Sequence, residues 1–242
     1  MKEATMDQPV TGVGQSNGYA GREVILNDER DPGRERLSSQ RVWSGPIFAV
    51  DADHVLLAPG QDPVARQVVV HHDAVAVVAL REGEESSQTD GAAEILMIRQ
   101  YRHPVRACLW EIPAGLLDVA GEAPAVAAAR ELAEETDYAA ATWNTLAEFY
   151  ASPGFTTEGA RIFLAQDLSL LPEDQRTARK DEEAEFVPTW VRLDEALDAV
   201  MDGRLHNPST VLGVLATAQA RARGWDGLRP ADAPWLRSPE SL

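Results

Sequence analysis

The sequence has a single cysteine and no long apolar run. One cysteine cannot form an internal disulfide, which favours a reducing compartment. Cys108, beside Leu109 and Trp110, is predicted to be a small buried hydrophobic side chain rather than a nucleophile. No stretch approaches the ~20 apolar residues of a membrane-spanning helix, and the N-terminal residues contain no apolar core of signal-peptide length. These absences predict a cytoplasmic protein.

Positive charge is also scarce. The chain has 22 Lys and Arg against 39 Asp and Glu, which gives a formal net charge of −17. Binding to the backbone of a nucleic acid requires a basic surface that displaces counterions, so nucleic acid is excluded as an expected partner. Anionic membranes are excluded for the same reason. An acidic enzyme can still bind a phosphorylated substrate if divalent cations lie between the two sets of negative charge.

The 242 residues suffice for one well-packed domain with appendages. Residues 1–40 are polar and Gly-rich, and we expect a disordered arm there. Residues 41–72 contain short strand-like segments, and residues 73–224 are predicted to form the main domain. The tail, residues 225–242, is rich in Pro and Asp and is predicted to be irregular.

Within the main domain, residues 74–80 (AVAVVAL) are apolar throughout, which predicts a strand buried on both faces. The charged residues 81–92 predict a hairpin loop. Pro124 and the helix formers that follow predict a helix over residues 123–136. Further strands are predicted at 41–50, 52–57, 67–71, 94–100, 144–151, 160–164 and 186–193, and further helices at 194–202 and 208–223, the last with Asn207 as its N-cap. Strands and a few helices without regular βαβ alternation indicate an α+β domain.

Residues 115–138 contain the most informative pattern in the chain. On the predicted helix, Glu131 and Glu135 lie one turn apart on the same face, and Arg130 and Glu134 form a second such pair beside them. Carboxylates this close repel one another unless a cation neutralises them, and Mg²⁺ prefers carboxylate oxygens. The spacing alone favours a solvated acidic helix face, so the surrounding residues must decide.

The surrounding residues resemble the Nudix box. That motif consists of Gly, a spacer, Glu, seven residues, Arg-Glu, an aliphatic residue, any residue, Glu-Glu, any residue and Gly. The matching residues are Gly115, Glu122, Arg130, Glu131, Leu132, Glu134 and Glu135. So many fixed residue types in register make the resemblance highly specific.

Two positions depart from the motif. The spacer between Gly115 and Glu122 is one residue longer, in a loop where insertions cost little. Asp137 stands where the motif has Gly, at the expected left-handed C-terminus of the helix, where Asp is tolerated at a cost of about 1 kcal/mol. Neither position is an expected ligand.

The resemblance extends over residues 42–222. VVALREG, MIRQYRHPV, LWEIPAGLLD and SPGFTTE are similar to segments of the ADP-ribose pyrophosphatase branch, especially its bacterial members. This resemblance implies the Nudix fold, a mixed β-sheet sandwiched by helices, with an N-terminal antiparallel β subdomain. It also implies a homodimer with exchanged N-terminal strands and hydrolysis of a nucleoside diphosphate sugar, with ADP-ribose giving AMP and ribose 5-phosphate.

The resemblance also assigns metal-binding roles. Glu131 and Glu135 would be the main ligands of Mg²⁺, or of Mn²⁺ in its place. The backbone carbonyl of Ala114, just before Gly115, would complete the shell, and Glu134 would be an auxiliary ligand or water anchor. The attacking group would be a metal-activated water.

Two further roles follow from the resemblance. Glu122 and Arg130 would form a structural ion pair that holds the loop onto the helix. The base would come from residues 181–187, with Glu183 as first choice and Glu185 as second. Without the resemblance, a solvated charge run would be the preferred interpretation of that stretch.

The candidate substrate contacts each have a structural alternative. Arg99 and Arg102 could bind phosphates, or could be ordinary surface arginines. Glu111 could contact ribose or an outer metal shell, and Phe155, in the loop SPGFTTE, could cover an apolar face of the substrate. Trp43 could stack on adenine across a dimer, but a buried core tryptophan is an equal alternative.

Two other functions compete with ADP-ribose hydrolysis. The same chemistry could act on another nucleotide sugar, such as GDP-mannose, or on a dinucleotide, because the box handles only the shared pyrophosphate. A Nudix-fold module could also sense ADP-ribose without cleaving it. Such modules usually lack box carboxylates, whereas this chain keeps Glu131, Glu134 and Glu135.

Overall fold

The structure is a computed structural model, and it describes residues 26–30, 33–83, 92–177 and 187–237. The chain divides into two units, Met1–Asp31 and Pro32–Leu242. Residues 26–30, the described part of the first unit, contain no helix or strand. The fold is therefore that of the second unit.

The second unit opens with a three-stranded antiparallel sheet in the order β1-β2-β3. Its strands are β1 Glu35–Ser44, β2 Phe48–Leu56 and β3 Val64–His71. Among the described residues, regular structure begins at Glu35, inside the segment that the sequence assigned to a disordered arm. The prediction of one strand over residues 41–50 was wrong, because the backbone turns at Gly45, whose N–H donates to the carbonyl of Phe48 (2.9 Å).

The larger sheet is mixed and follows the order β10-β5-β4-β9-β8-β11. Its main strands are β4 Ala74–Glu82, β5 Ala93–Arg102, β8 Tyr138–Tyr150, β9 Gly159–Leu170, β10 Thr189–Arg192 and β11 Arg229–Pro230. Two shorter strands lie beside this path: β6 Ala107–Glu111 pairs with β5, and β7 Ala114–Leu116 pairs with β4. β4 and β9 are parallel, and the other pairs are antiparallel.

In the part of the chain that the structure describes, three α-helices cover the two faces of this sheet: α1 Pro124–Thr136, α2 Leu193–Met201 and α3 Pro208–Ala222. β4 is buried on both faces, as predicted. Val75 and Val77 pack with α1, and Val78 and Leu80 pack with α2 and α3. The predicted α+β fold, a mixed sheet sandwiched by helices with an antiparallel N-terminal sheet, is confirmed.

The helix ends agree with the sequence. Asp137 follows α1 in the left-handed region (φ 64°), and its N–H donates to the carbonyl of Ala133 (3.0 Å). Asn207 caps α3, with its side chain accepting from the N–H of Thr210 (3.0 Å). None of the helices in the described segments is long and apolar enough to cross a membrane.

Some expectations need correction. Cys108 is exposed rather than buried, because it lies on the solvent side of β6. β6, β7 and β11 were not predicted. The tail is not irregular throughout, since Arg229 and Pro230 of β11 pair with Thr145 and Asn144 of β8.

Candidate active site

The first box carboxylate lies directly against a glycine. β7 is held on β4 by pairing of Gly115 with Val75, and α1 packs over β7. A Cβ built on Gly115 would lie 2.0 Å from Cδ of Glu131 and 2.2 Å from its Oε1. Only glycine permits this approach. The carboxylate of Glu131 is consequently buried, with 8% of the residue exposed.

The second box carboxylate is fixed by the preceding residue of the same strand. Oε2 of Glu135 accepts a hydrogen bond from the backbone N–H of Ala114 (3.0 Å), and Glu135 is also buried. The pairing of Ala114 with Ala76 ties this contact to the centre of the sheet. Ala114 and Gly115 therefore align two carboxylates that lie one helical turn apart.

Arg130 organises the remaining acidic residues of the box. Its guanidinium donates to both carboxylate oxygens of Glu122 (3.1 and 3.0 Å), to Oε1 of Glu131 (2.6 Å) and to Oε2 of Glu134 (3.3 Å). The hydrogen bond from Arg130 lowers the pKa of Glu122, and the same contact raises the pKa of Arg130. The ion pair between Glu122 and Arg130 thus holds the loop before α1 against the helix.

The donor set at this corner fits a divalent cation. Three carboxylates, those of Glu122, Glu131 and Glu134, contact the guanidinium of Arg130, and the carboxylate of Glu135 lies one helical turn from Glu131. A further positive charge would relieve the repulsion among them. Hard cations take such oxygens and often complete their shell with water or substrate phosphate. Within the described segments, no group of three or more His, Cys, Asp or Glu side chains is arranged to hold a metal ion.

Two of the candidate substrate residues form a pair. Glu111, which is 1% exposed, accepts from Nε and Nη2 of Arg102 through its two oxygens (2.8 and 2.7 Å). The Arg102 side chain stays 42% exposed, so the pair presents a guanidinium to solvent above a buried carboxylate. Arg99 is exposed on the same strand, opposite Trp110 of β6.

Residues 152–158 form a loop that is attached to the N-terminal sheet. Val69 of β3 donates to the carbonyl of Phe155 (2.7 Å) and accepts from the N–H of Thr157 (2.9 Å). The side chain of Thr157 also bonds to the backbone of His71. Phe155 remains 54% exposed, which suits a surface that contacts a ligand.

Glu158, at the end of this loop, was not predicted from the sequence to be a site residue. Burial raises its pKa, while the charges of His71 and Arg102 act in the opposite direction and that of Asp73 adds to the increase. The carboxyl group of Glu158 in the loop therefore interacts electrostatically with His71 of β3 and with Arg102 at the end of β5. The motif SPGFTTE contained the signal, because a carboxylate at the base of a substrate loop is a candidate for a perturbed pKa.

The contacts described above do not include three of the predicted site residues, Trp43, Glu183 and Glu185. Trp43 is not a buried core residue: it is 49% exposed and packs on Phe48 within the N-terminal sheet, with ring centroids 4.8 Å apart. Glu183 and Glu185 lie outside the described residues.

Comparison with known proteins places this geometry in context. A model of the NUDIX domain matches residues 70–209. The chain is 40% identical over 208 residues to an ADP-ribose pyrophosphatase of Mycobacterium tuberculosis, covering 86% of this chain and 94% of that protein. It is 34% identical over 178 residues to an ADP-ribose pyrophosphatase of Bacillus subtilis, covering 74% and 89%.

A solved structure described as an ADP compounds hydrolase has a similar fold. The TM-score is 0.61 at 19% sequence identity, and the match covers 81% of this chain and 99% of that one. At this identity the likeness concerns the fold alone.

Proposed function

Because the chain belongs to the Nudix family of pyrophosphohydrolases, we propose that it hydrolyses the pyrophosphate bond of ADP-ribose to give AMP and ribose 5-phosphate. The two ADP-ribose pyrophosphatases that share 40% and 34% of their aligned residues with it support this substrate. The observation that carries the proposal is the pair of buried carboxylates, Glu131 and Glu135, aligned by β7.

Nudix hydrolases use divalent metal ions, and for this chain we propose Mg²⁺, with Mn²⁺ as an alternative. Glu131, Glu135 and the carbonyl of Ala114 would hold the ion. When bound, it supplies Lewis-acid polarisation of the phosphate oxygens and lowers the pKa of water.

The chain's own residues orient the reaction. The N–H of Ala114 holds the carboxylate of Glu135, and Arg130 holds Glu131 and Glu134. Glu134, whose side chain is 38% exposed, is the proposed water anchor. Glu183 is the proposed base that accepts the proton of the attacking water, with Glu185 as second candidate.

The proposed substrate contacts are polar at one end and apolar at the other. Arg99 and the Arg102–Glu111 pair would meet phosphate and ribose, since guanidinium groups bind phosphate by charge-assisted hydrogen bonds. Phe155 would cover an apolar face of the substrate. Trp43, exposed in β1, would reach adenine from the partner subunit of a homodimer with exchanged N-terminal strands.

A cytoplasmic location is part of the proposal and rests on the reducing compartment that a single cysteine favours. Neither nucleic acid nor a membrane is proposed as a partner, because the chain is strongly acidic.

A substrate panel tests the proposal against its alternatives. ADP-ribose, GDP-mannose and a dinucleotide are incubated with the protein and Mg²⁺, and products are separated by chromatography. The expected result is the highest kcat/KM for ADP-ribose, with AMP released. A better rate on another compound would replace the substrate and keep the reaction. Binding of ADP-ribose by calorimetry without turnover would instead establish a sensing module.

A variant of the carboxylate pair tests the mechanism. Glu135→Gln should fold normally and lose about two orders of magnitude or more in kcat, because one anionic ligand is removed. Glu173→Gln, an exposed carboxylate in the short helix Glu173–Gln175, is the matched control and should keep full activity. Turnover by Glu135→Gln at the rate of the control would exclude the assigned metal site.

A further inference from the structure

We propose that Arg237 is a positioning residue for the loop of residues 152–158, so that the C-terminal segment, residues 229–237, takes part in substrate binding. The inference rests on the proposed function, which places the substrate against this loop. It adds a residue near the end of the chain that lies outside the segment matched by the NUDIX model.

The C-terminal segment is fixed along β8 and β9. After the pairing of β11 with β8, the side chain of Thr145 donates to the carbonyl of Pro230 (2.9 Å). Nη2 of Arg161, a residue 2% exposed, donates to the carbonyl of Ala233 (2.8 Å). The hydroxyl of Tyr150 donates to the carbonyl of Leu236. The segment therefore follows β8 to its last residue, where the loop begins.

Asp73 joins the end of the segment to the end of the loop. Its carboxylate is fully buried, with 0% of the residue exposed. Oδ1 accepts from the backbone N–H of Gly159 (2.8 Å), and Oδ2 accepts from Nε of Arg237 (2.6 Å). A buried carboxylate requires such partners, because its desolvation is otherwise uncompensated. Arg237 and Gly159 thus bind the two oxygens of this carboxylate, and Arg237 helps to keep Oδ1 oriented towards Gly159.

The ring of Trp235 lies against the guanidinium groups of both Arg237 and Arg161. The guanidinium of Arg237 lies 5.4 Å from the ring centroid of Trp235, and that of Arg161 lies 4.9 Å from it. A Cβ built on Gly159 would lie 3.2 Å from Oδ1 of Asp73 and 3.5 Å from Cζ2 of Trp235. The start of β9 therefore fits closely against the residues that bind it.

The loop of residues 152–158 is attached to the rest of the protein at two places, by two different parts of the chain. Val69 and His71 of β3 hold its centre, whereas Asp73 and Arg237 hold its end at Gly159. The carboxylates of α1 contact neither attachment through their side chains, because β7 aligns them from β4. Loss of Arg237 should therefore weaken binding by the loop and leave the chemical step nearly unchanged.

Kinetics of Arg237 variants test this division. We expect Arg237→Ala to raise KM for ADP-ribose roughly 10-fold, because the loop would less often adopt the conformation that binds substrate. The value of kcat should stay within about 3-fold of the wild type. Arg237→Lys should recover most of the lost affinity, because an ammonium group can still donate to Asp73. Arg221→Ala removes an arginine of α3 that contacts Glu82 at the surface (3.4 Å), and it should match the wild type.

Hydrogen exchange provides a readout that does not depend on activity. The amides of residues 157–159 should exchange about 10-fold faster in Arg237→Ala than in the wild type or in Arg221→Ala, while the amides of α1 should not change. This comparison remains informative if the wild type fails to hydrolyse ADP-ribose, an outcome that would reject the proposed function alone. Unchanged exchange at residues 157–159 would overturn the inference. So would a parallel loss of kcat and thermal stability that Arg237→Lys does not reverse, because Arg237 would then be only structural.

Discussion

Gly115 shows how a single residue determines where a carboxylate can lie. Acidic residues four apart on a helix are common on solvated surfaces, and their spacing does not separate that case from a metal site. The difference here is the strand against which the helix packs. Glu131 occupies the space that a side chain at position 115 would need, and Glu135 accepts from the neighbouring amide.

We predict that Gly115→Ala impairs catalysis more than folding. The added Cβ would overlap the carboxylate of Glu131, and a displacement of about 1 Å at a catalytic group can cost 10²-fold in rate, so kcat should fall about 100-fold. Gly213→Ala is the contrasting variant, since its Cβ would meet Cγ2 of Val78 (2.9 Å) and Cδ1 of Ile112 (3.1 Å) in the core.

Thermal unfolding and steady-state kinetics of the two glycine variants distinguish the sites. Gly213→Ala should lower Tm and keep kcat below its unfolding transition, because the clash is with core methyl groups. Gly115→Ala should instead keep a Tm close to that of the wild type and show the reduced kcat. If Gly115→Ala retained wild-type kcat, Glu131 would not need its observed position.

At the scale of elements, local signals predicted the helices α1, α2 and α3 and the strand β4, and they missed β6, β7 and β11. α1 was predicted because Pro124 suits a first turn and is followed by strong helix formers. β4 was predicted from its unbroken apolar run. β7 and β11, with three and two residues, are too short to carry a period, and they form because tertiary contacts hold them. The turn at Gly45 was missed because strand-forming residues lie on both sides of it.

The C-terminus of α1 offers a test of backbone conformation. Asp137 has φ 64°, which is costly for most residues other than Gly. We predict that Asp137→Gly unfolds with a free energy about 1 kcal/mol higher than Asp137→Ala. Both variants lack the carboxylate, so the difference between them isolates the backbone. Urea denaturation measures it.

The matched control is Asp202, which caps the C-terminus of α2 in the right-handed region (φ −80°). There the order should reverse, with Asp202→Ala at least as stable as Asp202→Gly, because glycine loses more conformational entropy on folding. Equal stabilities of the two variants at position 137 would contradict the left-handed conformation.

At the scale of the whole molecule, the contacts that complete the site join distant parts of the chain. Asp73 and Arg237 are 164 positions apart, and no pattern in the sequence connects them. The Nudix resemblance covered the residues that a family motif records, including the ion pair of Glu122 with Arg130. It did not reveal the pairing of Arg102 with Glu111, because β6, the strand that ends at Glu111, was not predicted. It could not reveal the contact of Arg237 with Asp73, because that contact depends on how the whole chain folds rather than on local spacing.

The N-terminal sheet has a surface that a single chain does not cover. Every residue of β1 is exposed, although the strand and its turn contain Leu37, Val42, Trp43 and Ile47, which are 47–54% exposed. Exposed apolar side chains, where they form a contiguous patch, are a feature of protein interfaces. A two-fold axis would let the same surface cover itself in a second copy of the chain.

We predict a homodimer formed through the N-terminal sheet, with a light-scattering mass twice the 26.3 kDa of one chain at micromolar concentration. Val42→Glu should shift this mass towards the monomer, because a charge replaces an apolar side chain at the interface, and the exposed position should leave folding of the single chain intact. Met201→Glu, at a methionine 73% exposed at the end of α2, is the matched control and should remain dimeric. If Trp43 contacts the substrate from the partner subunit, the activity per chain should fall when dilution dissociates the dimer.

A wild-type mass equal to that of one chain would exclude this assembly. A dimer whose mass is unaffected by Val42→Glu would place the interface on another surface.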